Sequence, residues 1–362
     1  MKNIYARFLE EKKDKDLVLA TIVATKGSSP QVPGVSALFS KKGLLAGTLG
    51  GGIMEARAEE KARESLQTGI SSLHRFELYA DIASEEEAIC GGEAAILFDA
   101  QPADSERVFQ ELIGSLENRR PGVLVTQIRR QKEDIVRLKR SWINKEDLFG
   151  EGSENREMPH REKTKNAFST GKPAYLPGGH KPNGEEMTVY LEPRFPLSRL
   201  VIAGAGHVGQ ALSHIGHLLD FEVTVIDDRT EFANRDILPE ADHIIVADIR
   251  EAIAKIPKTA DTYIVIVTRG HSHDADALKA CITSDVAYIG MIGSGRKIAL
   301  MRGKFIDRGW ATAEQYDRVH APIGIDIQSK TVQEIAISIA AELVKVRNQV
   351  QGKAKEAVWS GP

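Results

Sequence analysis

Gly204, Gly206 and Gly209 follow directly on the apolar residues 200–203. Glycines at this spacing allow a sharp turn and a close backbone approach, so that a pyrophosphate can rest on the free N–H groups opening a helix. His207 lies inside the run. A second strand-like run, 222–226, ends in Asp227 and Asp228. A carboxylate at that remove accepts a hydrogen bond from a ribose hydroxyl. The chemistry is recognition of a phosphorylated, dinucleotide-like ligand.

Two further sets of small residues stand earlier in the chain. Gly27, Ser28 and Ser29 open a proline- and glycine-rich loop over 26–34, and Gly50, Gly51 and Gly52 precede a helical run containing Glu55. Consecutive glycines carry a high entropic cost, which a backbone that turns tightly or approaches a ligand justifies. If a hairpin brings the two loops together, serine hydroxyls join backbone amides in a polar cradle. Cys90 precedes Gly91 and Gly92; amide dipoles there would favour a reactive thiolate, and a small buried hydrophobe is the alternative.

A third set follows the apolar run 263–268. Arg269, His271, His273 and Asp274 offer general acid or base groups, and their spacing matches no recognised zinc motif, so no resident metal is expected. Gly293 and Ser294 then open another helix with Arg296 and Lys297 in its first turn. Cations there oppose the helix dipole unless an anion is near.

These residues require particular elements to hold them. Val208, Ala211, Leu212, Ile215, Leu218 and Leu219 recur with helical spacing after the glycine run, and strands are expected at 243–247, 263–268 and 287–292, with a helix from about Asp274. Repeated strand–helix alternation demands a parallel sheet. With strand order 3-2-1-4-5 the crevice opens between the first and fourth strands. In the first half, a strand at 17–25, a meander through 35–39 and 44–49, and a helix over 53–67 lead to a capping box at 84–87. A strand at 94–98, a helix over 105–118 and strands at 122–128 and 188–192 follow.

The expected fold class is α/β: a C-terminal doubly wound, Rossmann-like parallel sheet preceded by a smaller mixed α/β domain. Domains are placed at 1–192, with a variable connector from about 129 to 187, and at 193–362, ending in a helix. The apolar stripe of that last helix, Val332, Ile335, Ala336, Ile339, Ala340, Leu343 and Val344, suits a core or a homodimer interface.

The 362 residues carry 48 basic and 51 acidic side chains, so no basic excess favours nucleic acid. Two cysteines cannot form a disulfide framework or a four-thiolate centre, which fits a reducing, cytoplasmic setting. No apolar run is long enough to span a membrane.

The combination of Gly27 to Pro30, the Gly50 to Glu55 turn, Cys90 with its two glycines, the histidine-containing run at 204–209, the 268–271 loop, the 289–294 turn and the 322–327 segment resembles the xanthine dehydrogenase accessory proteins, the XdhC and CoxI group. That resemblance implies a cytoplasmic factor that holds molybdenum cofactor (molybdopterin), assists its sulfuration and delivers it to a xanthine dehydrogenase type of molybdenum hydroxylase. A sulfur-donating cysteine desulfurase is a further implied partner. It also implies Cys90 as a soft contact to molybdenum. One departure stands out: the resemblance calls for arginine after Ser28, Ser29 and Pro30, and this chain has Gln31, which removes a phosphate-pairing charge.

A competing reading is an NAD(P)-dependent oxidoreductase, or a xanthine dehydrogenase-associated subunit, with a nucleotide in the Rossmann-like domain and His271 or His273 moving the proton. A scaffold that kept the fold without a ligand is the third. The hydroxylase itself is excluded, because its iron–sulfur clusters need more thiolates than two.

Overall fold

The computed structural model describes residues 3–12, 16–77, 92–132, 134–151, 158, 160–178 and 186–356. The expected capping box at 84–87, with Cys90 and Gly91, lies outside them. Two compact units are present, Met1–Pro196 and Leu197–Pro362.

In the first unit, β1 (Leu17–Gly27), β2 (Ser36–Ser40) and β3 (Gly43–Gly47) form the expected meander. They continue through β4 (Ser72–Glu77), β5 (Gly92–Asp99), β6 (Gly122–Lys132), β7 (Ile135–Asn144), β8 (Ala174–Leu176) and β9 (Glu186–Arg194). Among the described residues these make one antiparallel sheet in the order β3-β2-β1-β5-β4-β7-β6-β9-β8.

Because successive strand residues face opposite sides, β1 feeds two cores. Val18, Ala20 and Ile22 pack with Met54, Ala58 and Ala62 of the helix Gly52–Thr68. Leu17 and Leu19 join Tyr5 and Phe8 of the helix Ile4–Glu11 and Phe109 and Leu112 of the helix Glu106–Glu117.

The stretch 129–187, expected as a connector, carries β7, β8 and the ends of β6 and β9, so it is part of the first unit's sheet. In β7, Val136, Arg140 and Trp142 are buried while Ile135, Arg137 and Lys139 are exposed. Its charged outer face hid this period-2 signal. Buried Arg140 pairs with Asp99 at 2.5 Å.

The second unit is a parallel sheet of β10 (Arg199–Ala203), β11 (Glu222–Asp227), β12 (His243–Val246), β13 (Thr262–Ile266) and β14 (Tyr288–Met291), ordered β12-β11-β10-β13-β14. This is the expected 3-2-1-4-5 order. The central strands bury both faces, as a parallel sheet covered by helices requires. Leu200, Ile202 and Val223 face the helices His207–Leu218 and Val332–Glu356; Val201, Ala203 and Ile264 face Ile249–Lys255, His271–Lys279 and Gly295–Asp307. Ala336, Ile339, Ala340 and Leu343 of the last helix are core residues. Among the described residues no helix is long and apolar enough to cross a membrane.

Candidate functional site

Gly27 and Gly92 are paired in the β1–β5 ladder. A Cβ on Gly92 would sit 2.1 Å from the Ser28 carbonyl oxygen and 2.7 Å from that of Lys26. Only glycine lets the loop lie there. Gly50, at φ +114°, also stands close to that loop, since its Cβ would meet Pro30 Cγ at 2.9 Å and Gln31 Cγ at 3.3 Å. The fold therefore gathers the Gly27, Ser28 and Ser29 loop, the Gly50 turn and Gly92 into one patch. Cys90 and Gly91 immediately precede that patch in sequence.

The Gly50 turn is built to present backbone. Gly51 and Gly52 have φ of +73° and +58°, a region that favours glycine, and open space lies where side chains would stand. Gly51 caps the helix without any side-chain hydrogen bond. Glu55, expected as a ligand contact, instead ties the turn together: its carboxylate accepts from the Thr48 hydroxyl at 2.8 Å and the Leu49 N–H at 2.9 Å. Burial works to raise this carboxyl, but those bonds and the Gly51 amide outweigh it and hold it below its ordinary value. Thr48, which sequence reasoning passed over, also accepts from the Gly50 N–H at 3.0 Å.

Ser28 is exposed, whereas the Ser29 hydroxyl is buried with no hydrogen-bond partner among the described residues. A buried, unpaired hydroxyl beside an uncapped glycine turn can receive a polar group. Gln31 brings no cation to this patch.

In the second unit, Gly204 at φ +115° lies against the chain leaving β13; its Cβ would be 2.5 Å from the Val267 carbonyl oxygen. Gly209 packs on the same turn, with Gly204 O 1.9 Å from its would-be Cβ. Gly206 faces open space, and His207 is exposed as the first helical residue.

Asp227 already has partners within the protein. Its buried carboxylate accepts from the Ala205 N–H at 2.7 Å and grips Arg229 through Nε at 2.8 Å and NH2 at 3.0 Å. Burial alone would raise its pKa; the Arg229 and Ala205 hydrogen bonds prevail and bring it to about 2. The guanidinium two residues on, which sequence reasoning missed, competes for the same carboxylate. Asp228 is exposed and lies 3.6 Å from Arg269.

The loop after β13 divides its residues. Asp274 is fully buried, accepting from Thr268 Oγ1 at 2.6 Å and from Lys297 Nζ at 2.5 Å. It is the anion that the Lys297 position demands. Gly293 leaves room for that side chain, because a Cβ there would meet Lys297 Cδ at 2.9 Å.

His273 is one of the two residues named for moving a proton at the nucleotide crevice. It instead lines a cavity of about 460 Å³ with Asp248, Glu251 and Asp276, because the helix starts at His271, three residues before its expected beginning, and turns His273 toward the neighbouring helix Ile249–Lys255. His271 opens the helix, and its side chain is outside the described set. Ser294 caps the helix Gly295–Asp307, and Arg296 is exposed on it. No group of three metal-ligating side chains converges among the described residues.

Comparisons with known proteins bear on both units. Residues 11–77 match the XdhC and CoxI family, and residues 200–343 match the XdhC Rossmann domain. A Bacillus subtilis relative, named as a probable xanthine dehydrogenase subunit, is 23% identical over 93% of this chain and 94% of its own. The Escherichia coli molybdenum cofactor insertion chaperone PaoD is 22% identical, over 92% of this chain and 84% of its own. YqeB of the same bacterium, an uncharacterized protein, is 33% identical over 47% of this chain, and the match spans only 31% of that relative. A Bacillus halodurans crystal structure described as a xanthine dehydrogenase has the same fold, with a TM-score of 0.72 at 22% identity, covering 96% of this chain and 95% of that one.

Proposed function

Since this chain belongs to the XdhC and CoxI family, we propose that it binds molybdenum cofactor, assists its sulfuration, and passes it to a xanthine dehydrogenase type of molybdenum hydroxylase. The observation that carries the reading is the convergence of Ser29, Gly50 and Gly92 on one patch. The cargo is a pterin with a phosphate end and a thiolate-bound metal end. Ser29 and the Gly52 end of the turn, beyond the amides that Glu55 and Thr48 already hold, supply hydrogen-bond donors for its polar end.

Cys90, just before Gly92 in the chain, is the soft group proposed to meet the molybdenum or its sulfur. Gln31 leaves the anionic end without a paired guanidinium, so amides and hydroxyls carry that contact. Such bonds are individually modest, which suits a carrier that must release its cargo. A sulfur-donating cysteine desulfurase is the second proposed partner, and a homodimer the proposed assembly.

The oxidoreductase alternative is weakened by Asp227, whose carboxylate already serves Ala205 and Arg229. To test the reading, the protein is purified from cells that make the cofactor and from cells that cannot, then oxidised. Fluorescent pterin released only from the first preparation is expected. Its absence from both overturns the proposal.

A further inference from the structure

Four cations crowd one face of the second unit, and among the described residues a single carboxylate lies within ion-pair distance of any of them. Lys279 Nζ lies 3.1 Å from the Trp310 ring centroid, the Arg308 guanidinium carbon 5.1 Å and Lys304 Nζ 5.7 Å. Each contact is individually favourable, because the ring face attracts positive charge. Together they place three like charges around one ring.

Lys304 also lines a cavity of about 380 Å³ with Arg296, the fourth cation, and with Leu300, which is 69% exposed although large and apolar. Among the described residues the one carboxylate within 4.0 Å of these four cations is Asp276, 3.9 Å from Lys279. Arg296, Lys304 and Arg308 have none within that distance among the described residues. The whole chain is net negative, so this concentration of positive charge is local rather than general.

We propose that this face docks an acidic segment of a partner protein that also carries a large apolar side chain. Carboxylates of the segment would relieve the repulsion among Lys279, Lys304 and Arg308, and its apolar residue would cover Leu300. Charge complementarity of this kind sets partner choice and the rate of encounter. A nucleic acid fits less well: the cations ring one aromatic residue rather than forming a stripe along a backbone, and the net charge of -3 repels a polyanion. A single exposed leucine gives little to insert in a bilayer. The inference does not depend on what the first unit carries.

The test uses the full chain and a fluorescently labelled synthetic peptide of Glu-Glu-Leu-Phe repeats, with a Lys-Lys-Leu-Phe peptide as control, followed by anisotropy. Saturable binding of the acidic peptide alone is expected. It should weaken as salt rises past the screening range, and by about tenfold or more in the double variant Lys304→Glu/Arg308→Glu. Both positions are exposed, so the variant should keep the parent's circular dichroism, with melting lowered only slightly by loss of the two Trp310 contacts. Equal binding by parent and variant, or no saturable binding, overturns the proposal. Tighter binding of single-stranded DNA or of phosphatidylglycerol vesicles, lost in the same variant, also overturns it by assigning the face to another kind of partner.

Discussion

Gly92 lies so close to Ser28 that a single methyl group at position 92 would come within 2.1 Å of the Ser28 carbonyl oxygen. The loop carrying Ser28 and Ser29 is thus held in place by the absence of a side chain on β5. Gly92→Ala should displace that loop or distort the strand, at a cost of about 1–3 kcal/mol from overpacking. Urea denaturation reads the stability loss, and pterin content of the purified variant should fall with it.

Ser29→Ala should act in the opposite direction on stability. Removing a buried hydroxyl that has no partner among the described residues leaves the cargo-free protein equally stable or up to about 1 kcal/mol more stable. Cofactor retention should nevertheless decline. A variant that melts as the parent does and still binds less cofactor separates a ligand contact from a folding role.

Asp274 and Lys297 form a buried ion pair, with the two side chains 0% and 13% exposed. Removing one partner leaves an uncompensated charge, so Lys297→Met should lower stability by about 3–5 kcal/mol. The double variant Asp274→Asn/Lys297→Met should recover much of that loss, read as a coupling in a double-mutant cycle.

Acid sensitivity should trace to Glu342 of the last helix. Burial would raise its carboxyl, but hydrogen bonds from His320, the Tyr288 hydroxyl and the Gly324 N–H bring it down to about 2 from an ordinary 4.5. A depressed folded pKa means the stabilisation is complete above about 4.5 and is lost as pH falls toward about 2. Allowing for solvent screening of a half-buried group, about 1–2 kcal/mol is at stake. Glu342→Gln should flatten the stability profile across that window in pH-dependent denaturation.

Much of this architecture was legible in residue order. The glycine run at 204–209 and the strand–helix alternation called for a parallel sheet, and the usual 3-2-1-4-5 order taken for it is the one the sheet has. The dipole argument at Lys297 called for an anion, and Asp274 supplies it.

What could not be read was pairing chosen by tertiary packing. Asp227 has the position of a ribose acceptor, yet Arg229 and Ala205 take its oxygens, and no periodicity announces that competition. The strand β7 alternates correctly but looked like a connector, since its outer face is charged and its inner face includes Arg140, satisfied by Asp99 far away in the chain. Glu55 was legible as an acidic residue near a helix start, but its bonds to Thr48 and Leu49 depend on a loop shape the glycines create.

The most direct measurement is titration of cofactor-free protein with molybdenum cofactor released from a molybdenum enzyme, followed by retention on a desalting column, for the parent and for Cys90→Ala. Saturable binding by the parent and clearly reduced retention by the variant, with unchanged melting, are predicted. No saturable binding by the parent would contradict the account of this chain as a cofactor carrier.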